Sequence, residues 1–148
     1  MSRMCILLFF VFFGLLPLHA VPGAEAAFVG LTLEELINRF GVPRSVHAVR
    51  GLEEWQDDVV FVYEEGDFYI FRDRVWQVGL RTFMGINSGD PGSIVSLILD
   101  SVPGFSRLRS PENSVSYYMY DGSWPMILRC DFDDRGRIRG IFIFRSDL

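Results

Sequence analysis

The sequence predicts an α+β protein of two tandem units, each a helix followed by an antiparallel meander. The two units form one sheet, with both helices packed on one face. Three observations predict this fold: a well-capped short helix near the N-terminus, β-branched and aromatic runs separated by polar turns, and the same order repeated about sixty residues later. The two units span about residues 28–82 and 88–148.

Residues 1–26 predict a secretory signal peptide. Arg3 precedes an unbroken apolar run from Cys5 to Leu16, and Ala24-Glu25-Ala26 has the small-x-small pattern that signal peptidase cleaves. The run is short for a membrane span, so an uncleaved anchor that keeps the protein near the membrane is the alternative. We therefore expect an exported protein, periplasmic or secreted, in which residues 27–148 form a single domain.

Charge and reactive side chains argue against several function classes. The net charge of −5 disfavours nucleic acid as a partner. After signal cleavage the remaining histidine and cysteine, His47 and Cys130, fall in different units, which gives no nucleophile and base pair. The aspartates around Gly136 lack the residue order of a calcium loop. We therefore predict no catalytic residue, no metal and no cofactor.

The first helix lies within Gly30 to Pro43. Thr32 and Glu35 have the spacing of a capping box, and Gly41 ends the helix. The apolar residues recur with helical spacing, which indicates one buried stripe: Leu33, Leu36, Ile37 and Phe40.

Four strands are expected to follow in the first unit. A short strand at Ser45 to Arg50 and a polar loop at 51–58 precede strands at Val59–Tyr63, Phe68–Arg72 and Val75–Leu80. Simple alternation assigns these residues to the helix-covered face: Val60, Val62, Tyr69, Phe71, Trp76, Val78 and Leu80. The opposite face then carries Phe61, Tyr63, Phe68, Ile70, Arg72 and Gln77.

The second unit begins with Asp90 as a helix cap and Pro91 at the first helical position. Its strands are expected at Val115–Tyr120, Met126–Phe132 and Ile138–Phe144. Pairing Phe132 with Ile138 predicts a covered face of Met126, Leu128, Cys130, Phe132, Ile138, Gly140, Phe142 and Phe144. It also sets Asp131 opposite Arg139 on the uncovered face, beside Tyr118, Tyr120, Ile127, Arg129, Ile141 and Ile143.

The opening motif resembles the SmpA/OmlA (BamE) family in Gly30-Leu31-Thr32, Leu36, Phe40-Gly41-Val42-Pro43 and Val60-Phe61-Val62-Tyr63. That family contributes small lipoproteins to the outer-membrane barrel-assembly machine. The tandem arrangement resembles the β-lactamase inhibitor protein fold. That second resemblance implies a protein that grips a partner with its exposed sheet face and uses no catalytic residue.

We therefore predict a non-enzymatic, inhibitor-like protein-binding module whose partner is an envelope protein or an exogenous enzyme. The alternative is an accessory protein of envelope or outer-membrane assembly. The predicted binding residues share the uncovered sheet face: Phe61, Tyr63, Phe68, Arg72, Gln77, Tyr118, Tyr120, Arg129 and Arg139. Two alternatives stay open, namely that the faces are reversed or that the loop at 51–58 covers this one.

Overall fold

The computed structural model describes residues 23–50 and 58–148. Over these residues the protein has mixed α/β structure, with two α-helices and an eight-stranded antiparallel sheet. No helix in this part of the chain is long and apolar enough to cross a membrane. The predicted signal peptide up to residue 22, and residues 51–57 of the predicted loop, lie outside the described residues.

The elements follow one another as a short 3₁₀ helix (Ala24–Phe28), α1 (Leu33–Phe40), β1 (Ser45–Val49), β2 (Asp58–Val62), β3 (Gly66–Phe71), β4 (Arg74–Leu80), β5 (Thr82–Phe83), β6 (Ile86–Asn87), α2 (Ser93–Leu99), β7 (Ser106–Leu108), β8 (Ser114–Tyr120), β9 (Pro125–Phe132) and β10 (Ile138–Arg145). The large sheet has the order β1-β2-β3-β4-β10-β9-β8-β7, and β5 and β6 form a separate hairpin. Strands β4 and β10, which end the two meanders, therefore pair at the centre of the sheet.

Helix α1 begins with the predicted capping box. The Glu35 backbone N–H donates to the Thr32 hydroxyl at 3.2 Å, and the Thr32 N–H donates to the Glu35 carboxylate at 2.8 Å. These hydrogen bonds from Thr32 lower the pKa of Glu35 below its ordinary value of 4.5. The carboxylate therefore stabilises the folded state above that value, and the contribution is lost as the pH falls through the lower folded pKa. Gly41, with φ of 77°, ends the helix as predicted.

The chain entering α1 is hydrogen-bonded to the start of β4. The Gly30 N–H donates to the Val75 carbonyl at 2.8 Å, and the Val75 N–H donates to the Leu31 carbonyl at 2.8 Å. Arg74 adds a bond from its Nη1 to the Gly30 carbonyl at 2.9 Å. The beginning of the helix is thus fixed to the central part of the sheet.

The chain entering α2 is held in the same way at the start of β10. The Gly89 N–H donates to the Ile138 carbonyl at 2.7 Å, and the Ile138 N–H donates to the Asp90 carbonyl at 2.8 Å. Arg137 donates from Nη1 to the Gly89 carbonyl at 2.8 Å. The predicted Asp90 cap is wrong, because α2 starts only at Ser93 and the Asp90 carboxylate accepts from the Asn87 N–H instead.

Both helices lie on one side of the sheet, which we call the inner face. Under α1, the Phe40 ring lies 5.5 Å from that of Tyr63 and 5.3 Å from that of Phe68. Under α2, Tyr117 donates a hydrogen bond of 2.6 Å to the Asp100 carboxylate that follows the helix. The opposite side of the sheet is the outer face.

A single row of paired residues crosses the inner face: Phe61, Phe68, Val78, Ile143, Leu128 and Tyr117. All except Phe61 are buried. The face assignment predicted for β2 and β3 is therefore reversed, since Phe61, Phe68 and Ile70 point toward the helices. Tyr63, just after β2, is also buried, and its hydroxyl donates to the Gly41 carbonyl at the end of α1.

Two β-bulges account for the errors in register. In β4, Tyr69 pairs with Gln77 and Ile70 pairs with Val75, so Trp76 is an extra residue. In β10, Phe132 pairs with Ile138 as predicted, but Asp131 pairs with Gly140 and Arg139 is extra. The predicted opposition of Asp131 and Arg139 is therefore wrong, as is the predicted outward position of Ile141 and Ile143.

Replacing Thr32 with alanine tests the capping box. Thr32→Ala leaves the Glu35 backbone N–H without its acceptor at the start of α1. We expect the free energy of unfolding to fall by about 1 kcal/mol in urea denaturation with an unchanged m-value.

Thr32→Ser is the matched control, because it keeps the hydroxyl acceptor, and it should stay within about 0.5 kcal/mol of the parent protein. Equal losses in both variants would show that the methyl group of Thr32, and not its hydroxyl, stabilises the helix.

Candidate protein-binding surface

Three of the nine predicted binding residues do not lie on the exposed sheet face. Phe68 is fully buried and Tyr63 is 3% exposed, so both belong to the core beneath α1. Phe61 is half-buried on the inner face and packs against the same core. Placing these residues on the uncovered sheet face was wrong, because the prediction carried the alternation of β2 and β3 to the wrong side of the sheet.

Two of the arginines lie at local irregularities of the backbone. Arg72 and Asp73 have positive φ angles of 48° and 64° and form the β3 to β4 turn, one residue earlier than predicted. The Arg72 guanidinium lies 5.1 Å from the centre of the Phe71 ring. Arg139 is the exposed extra residue of the β10 bulge.

The remaining four predicted residues share the outer face. Gln77 pairs with Tyr69 on one side and with Phe144 on the other. Tyr118 pairs with Ile127, which pairs with Phe144, so these side chains form a row across β8, β9 and β10. Tyr120, at the end of β8, is 55% exposed, and Tyr118 is 38% exposed.

We define the aromatic face by the outward side chains of β8, β9 and β10: Tyr118, Tyr120, Ile127, Arg129, Phe142 and Phe144. The prediction missed Phe142 and Phe144, since an unbroken register from Phe132 would have turned both rings inward. The alternating Ile141-Phe142-Ile143-Phe144 did indicate one buried and one outward pair. Alternation alone does not reveal which pair faces the helices.

Arg129 lies at the middle of the aromatic face. Its guanidinium carbon is 5.4 Å from the centre of the Phe142 ring and 5.6 Å from that of Phe144. Its Nε lies 3.1 Å from a carboxylate oxygen of Asp131, two residues further along β9. Ring quadrupoles and a carboxylate thus hold the cation close to the two rings, where it presents charge beside apolar surface.

The two side chains that a nucleophilic mechanism would need are far apart. His47 is exposed on the edge strand β1, whereas Cys130 is buried on β9, and four strands lie between them. Burial raises the pKa of the Cys130 thiol to about 12. The buried thiol expected for Cys130 is confirmed.

The described residues contain no group of three or more histidine, cysteine and acidic side chains that could hold a metal ion. The aspartate that comes closest to the pattern of a calcium loop has a structural role instead. Asp133 accepts backbone hydrogen bonds from Arg135 and Arg137 at 2.9 Å each, and these bonds lower its pKa. Gly136 in this turn has a φ of 70°, the left-handed conformation predicted for it.

Comparison with known proteins reveals a likeness of fold. No protein-family model matches the chain, and no curated protein sequence matches it. A solved structure of an extracellular protein containing a SCP domain, from Bacillus anthracis str. Ames, matches 86% of this chain with a TM-score of 0.52 and 10% sequence identity. The match covers 47% of that protein, so this chain spans about half its length. At this identity the likeness concerns the fold alone.

Cys130 should be almost inert toward thiol reagents in the folded protein. With the pKa of its thiol raised to about 12, very little thiolate forms at pH 8. We expect alkylation by iodoacetamide, followed by mass spectrometry, to be about a thousandfold slower than in the urea-unfolded chain.

A variant combining Cys130→Ser with Ser88→Cys provides an exposed thiol on the same fold and should label rapidly under native conditions. Native labelling of Cys130 within a factor of about ten of the unfolded rate would contradict the buried environment.

Proposed function

We propose that this chain is an exported, non-enzymatic protein-binding module that holds its partner through the aromatic face. The observation that supports this most directly is the exposure of Tyr118 and Tyr120 beside Arg129 and two phenylalanine rings on one face of the sheet. Tyrosine and arginine are among the residues that most often dominate the free energy of protein association. The two α-helices both pack on the inner face, so no helix in the described part of the chain lies over the aromatic face.

The aromatic face is rigid, which lowers the entropic cost of binding. Its side chains stand on three neighbouring strands joined by continuous backbone pairing. Arg129 is held between Phe142, Phe144 and Asp131 before any partner arrives. Such preorganised side chains lose little rotamer freedom on association.

We infer that the fold consists of two copies of one helix-plus-meander unit, at about 28–82 and 88–148. Matching hydrogen bonds at the two helix starts support this, since Gly30 bonds to Val75 as Gly89 bonds to Ile138. The bulges at Trp76 and Arg139 also occupy equivalent positions in the last strand of each unit. This arrangement resembles the tandem fold of the β-lactamase inhibitor protein, in which the sheet face grips another protein.

The partner that we propose is a protein of the cell envelope or an exogenous enzyme that the chain inhibits. Export is inferred from the signal-like segment before Ala27, and the description of the fold neighbour as extracellular agrees with it. A role in envelope assembly is the alternative. It would be supported by co-purification with the outer-membrane barrel-assembly machinery, and a freely soluble periplasmic pool would count against it.

Tyr118→Ala combined with Tyr120→Ala tests the aromatic face. Both side chains are exposed, so we expect the melting temperature to change by no more than about 3 °C. Retention of the captured partner from an envelope extract should fall at least about thirtyfold, since two hot-spot side chains are removed.

Leu97→Ala is the control, because Leu97 is 78% exposed on α2, which packs on the other side of the sheet. It should leave capture unchanged. If the double tyrosine variant captures the partner as well as the parent protein does, the aromatic face is not the binding surface.

Phe68→Ala distinguishes the core from the surface. Phe68 is fully buried against the rings of Phe28, Phe40 and Tyr63. We expect the free energy of unfolding to fall by about 3–5 kcal/mol, measured by urea denaturation. A variant of unchanged stability that has lost partner capture would instead restore the original assignment of Phe68 to the surface.

A further inference from the structure

A notch opens on the outer face beside Phe142, where the end of β4 meets the start of β10. The residues around it include three glycines, two arginines, one serine and one aspartate: Gly66, Gly79, Gly140, Arg81, Arg139, Ser88 and Asp67. A Cβ atom on Gly140 would collide with the Phe142 ring, so the ring lies directly against the bare backbone at this position. The notch therefore shares one wall, Phe142, with the aromatic face.

The side chains of Arg81 and Arg139 form no hydrogen bond or ion pair with any residue that the structure describes. Most other arginines have such a partner or stack on a ring: Arg39 on Phe28, Arg44 with Glu64, Arg72 on Phe71, Arg74 with Gly30, Arg107 with Asp100, Arg129 with Asp131, Arg137 with Gly89 and Arg145 with Asp147. The chain as a whole is acidic, with a net charge of −5. Two guanidinium groups without a partner among the described residues nevertheless border the same small opening.

The backbone fixes the edge of this opening. The Ser88 N–H donates to the Arg81 carbonyl at 3.0 Å, and both residues line the notch. Arg139 is presented by its bulge in β10, which turns the strand locally and exposes the side chain. Two forked cations and a hydroxyl donor are the groups that bind an oxyanion by charge-assisted hydrogen bonds.

We propose that the notch binds one carboxylate of the partner protein, an aspartate or glutamate side chain, between Arg81 and Arg139. The proposal rests on the partner-binding role of the aromatic face. Asp67 lines the same notch and offsets one of the two arginine charges, so the charge that remains is matched by a single carboxylate. The partner would then place an acidic side chain in the notch and apolar groups on Phe142 and its neighbours.

Phe142 couples the two parts of the surface. Its ring lines the notch and also lies 5.4 Å from the guanidinium carbon of Arg129. A partner segment that crosses Phe142 would therefore meet cationic groups on both sides of the ring. Such an arrangement selects a partner by the position of its acidic residue and not by overall charge.

The direct test uses the α-methylamide of N-acetylglutamate as the probe, because it carries a single carboxylate, at constant ionic strength, with side-chain Nε–H signals of the arginines followed by NMR. We expect saturable shifts at Arg81 and Arg139 with millimolar affinity, and at least tenfold weaker binding in Arg81→Gln and in Arg139→Gln. Arg109→Gln is the matched control, because Arg109 is exposed, has no hydrogen bond or ion pair to a described residue, and does not line the notch. It should bind the probe as the parent protein does.

Three outcomes of the titration would overturn the proposal: no saturable shift, an affinity in the Arg81 and Arg139 variants equal to that of the parent protein, or tighter binding of inorganic phosphate than of the single-carboxylate probe. Partner capture separates this proposal from the function on which it rests. If the double variant Arg81→Gln and Arg139→Gln captures the partner normally while Tyr118→Ala with Tyr120→Ala does not, the carboxylate site is refuted and the aromatic face stands. Loss of partner capture in both double variants supports the carboxylate site in the notch.

Discussion

The two bulges, at Trp76 and Arg139, determine which side chains the helices cover. Successive side chains of a strand point to opposite faces, so one inserted residue reverses every position after it. At Arg139 the insertion directs Ile141 and Ile143 into the core and leaves Phe142 and Phe144 outside. Burying two isoleucine side chains is worth about 3–6 kcal/mol, and a register without the insertion would instead force the larger Phe142 and Phe144 rings into the space that these side chains fill.

Local signals in the sequence were sufficient for the two ends of α1 and for the turn before β10. The capping box of Thr32 and Glu35, the end of α1 at Gly41 and the left-handed Gly136 all depend on neighbours within a few residues. The faces of β2 and β3 depend instead on a bulge in a different strand. Neither Trp76 nor Arg139 is a residue type that indicates a bulge. The prediction therefore extended the alternation of faces through both positions, and the face assignment became wrong there. The short strands β5, β6 and β7 also lacked a recognisable pattern.

The sequence predicted only some of the residues that lie on the outer face of β8, β9 and β10. Tyr118, Tyr120 and Arg129 were correctly placed on the outer face, because β8 and β9 pair without interruption. On β10 the outer face carries Phe142 and Phe144, where the prediction had placed the neighbouring isoleucines. Arg81 had no signal in the sequence, since it follows β4 as an isolated charge. Its significance depends on the proximity of Arg139, which only the pairing of β4 with β10 produces.

The position of β10 has a consequence for how the chain reaches its folded state. This strand is the last along the chain among those that the structure describes, yet it lies at the centre of the sheet between β4 and β9. Until β10 has been synthesised, β4 and β9 are both open edges that can pair with other chains. The two halves of the sheet can therefore join only after this strand is available, which makes the pairing of β4 with β10 a late step of folding.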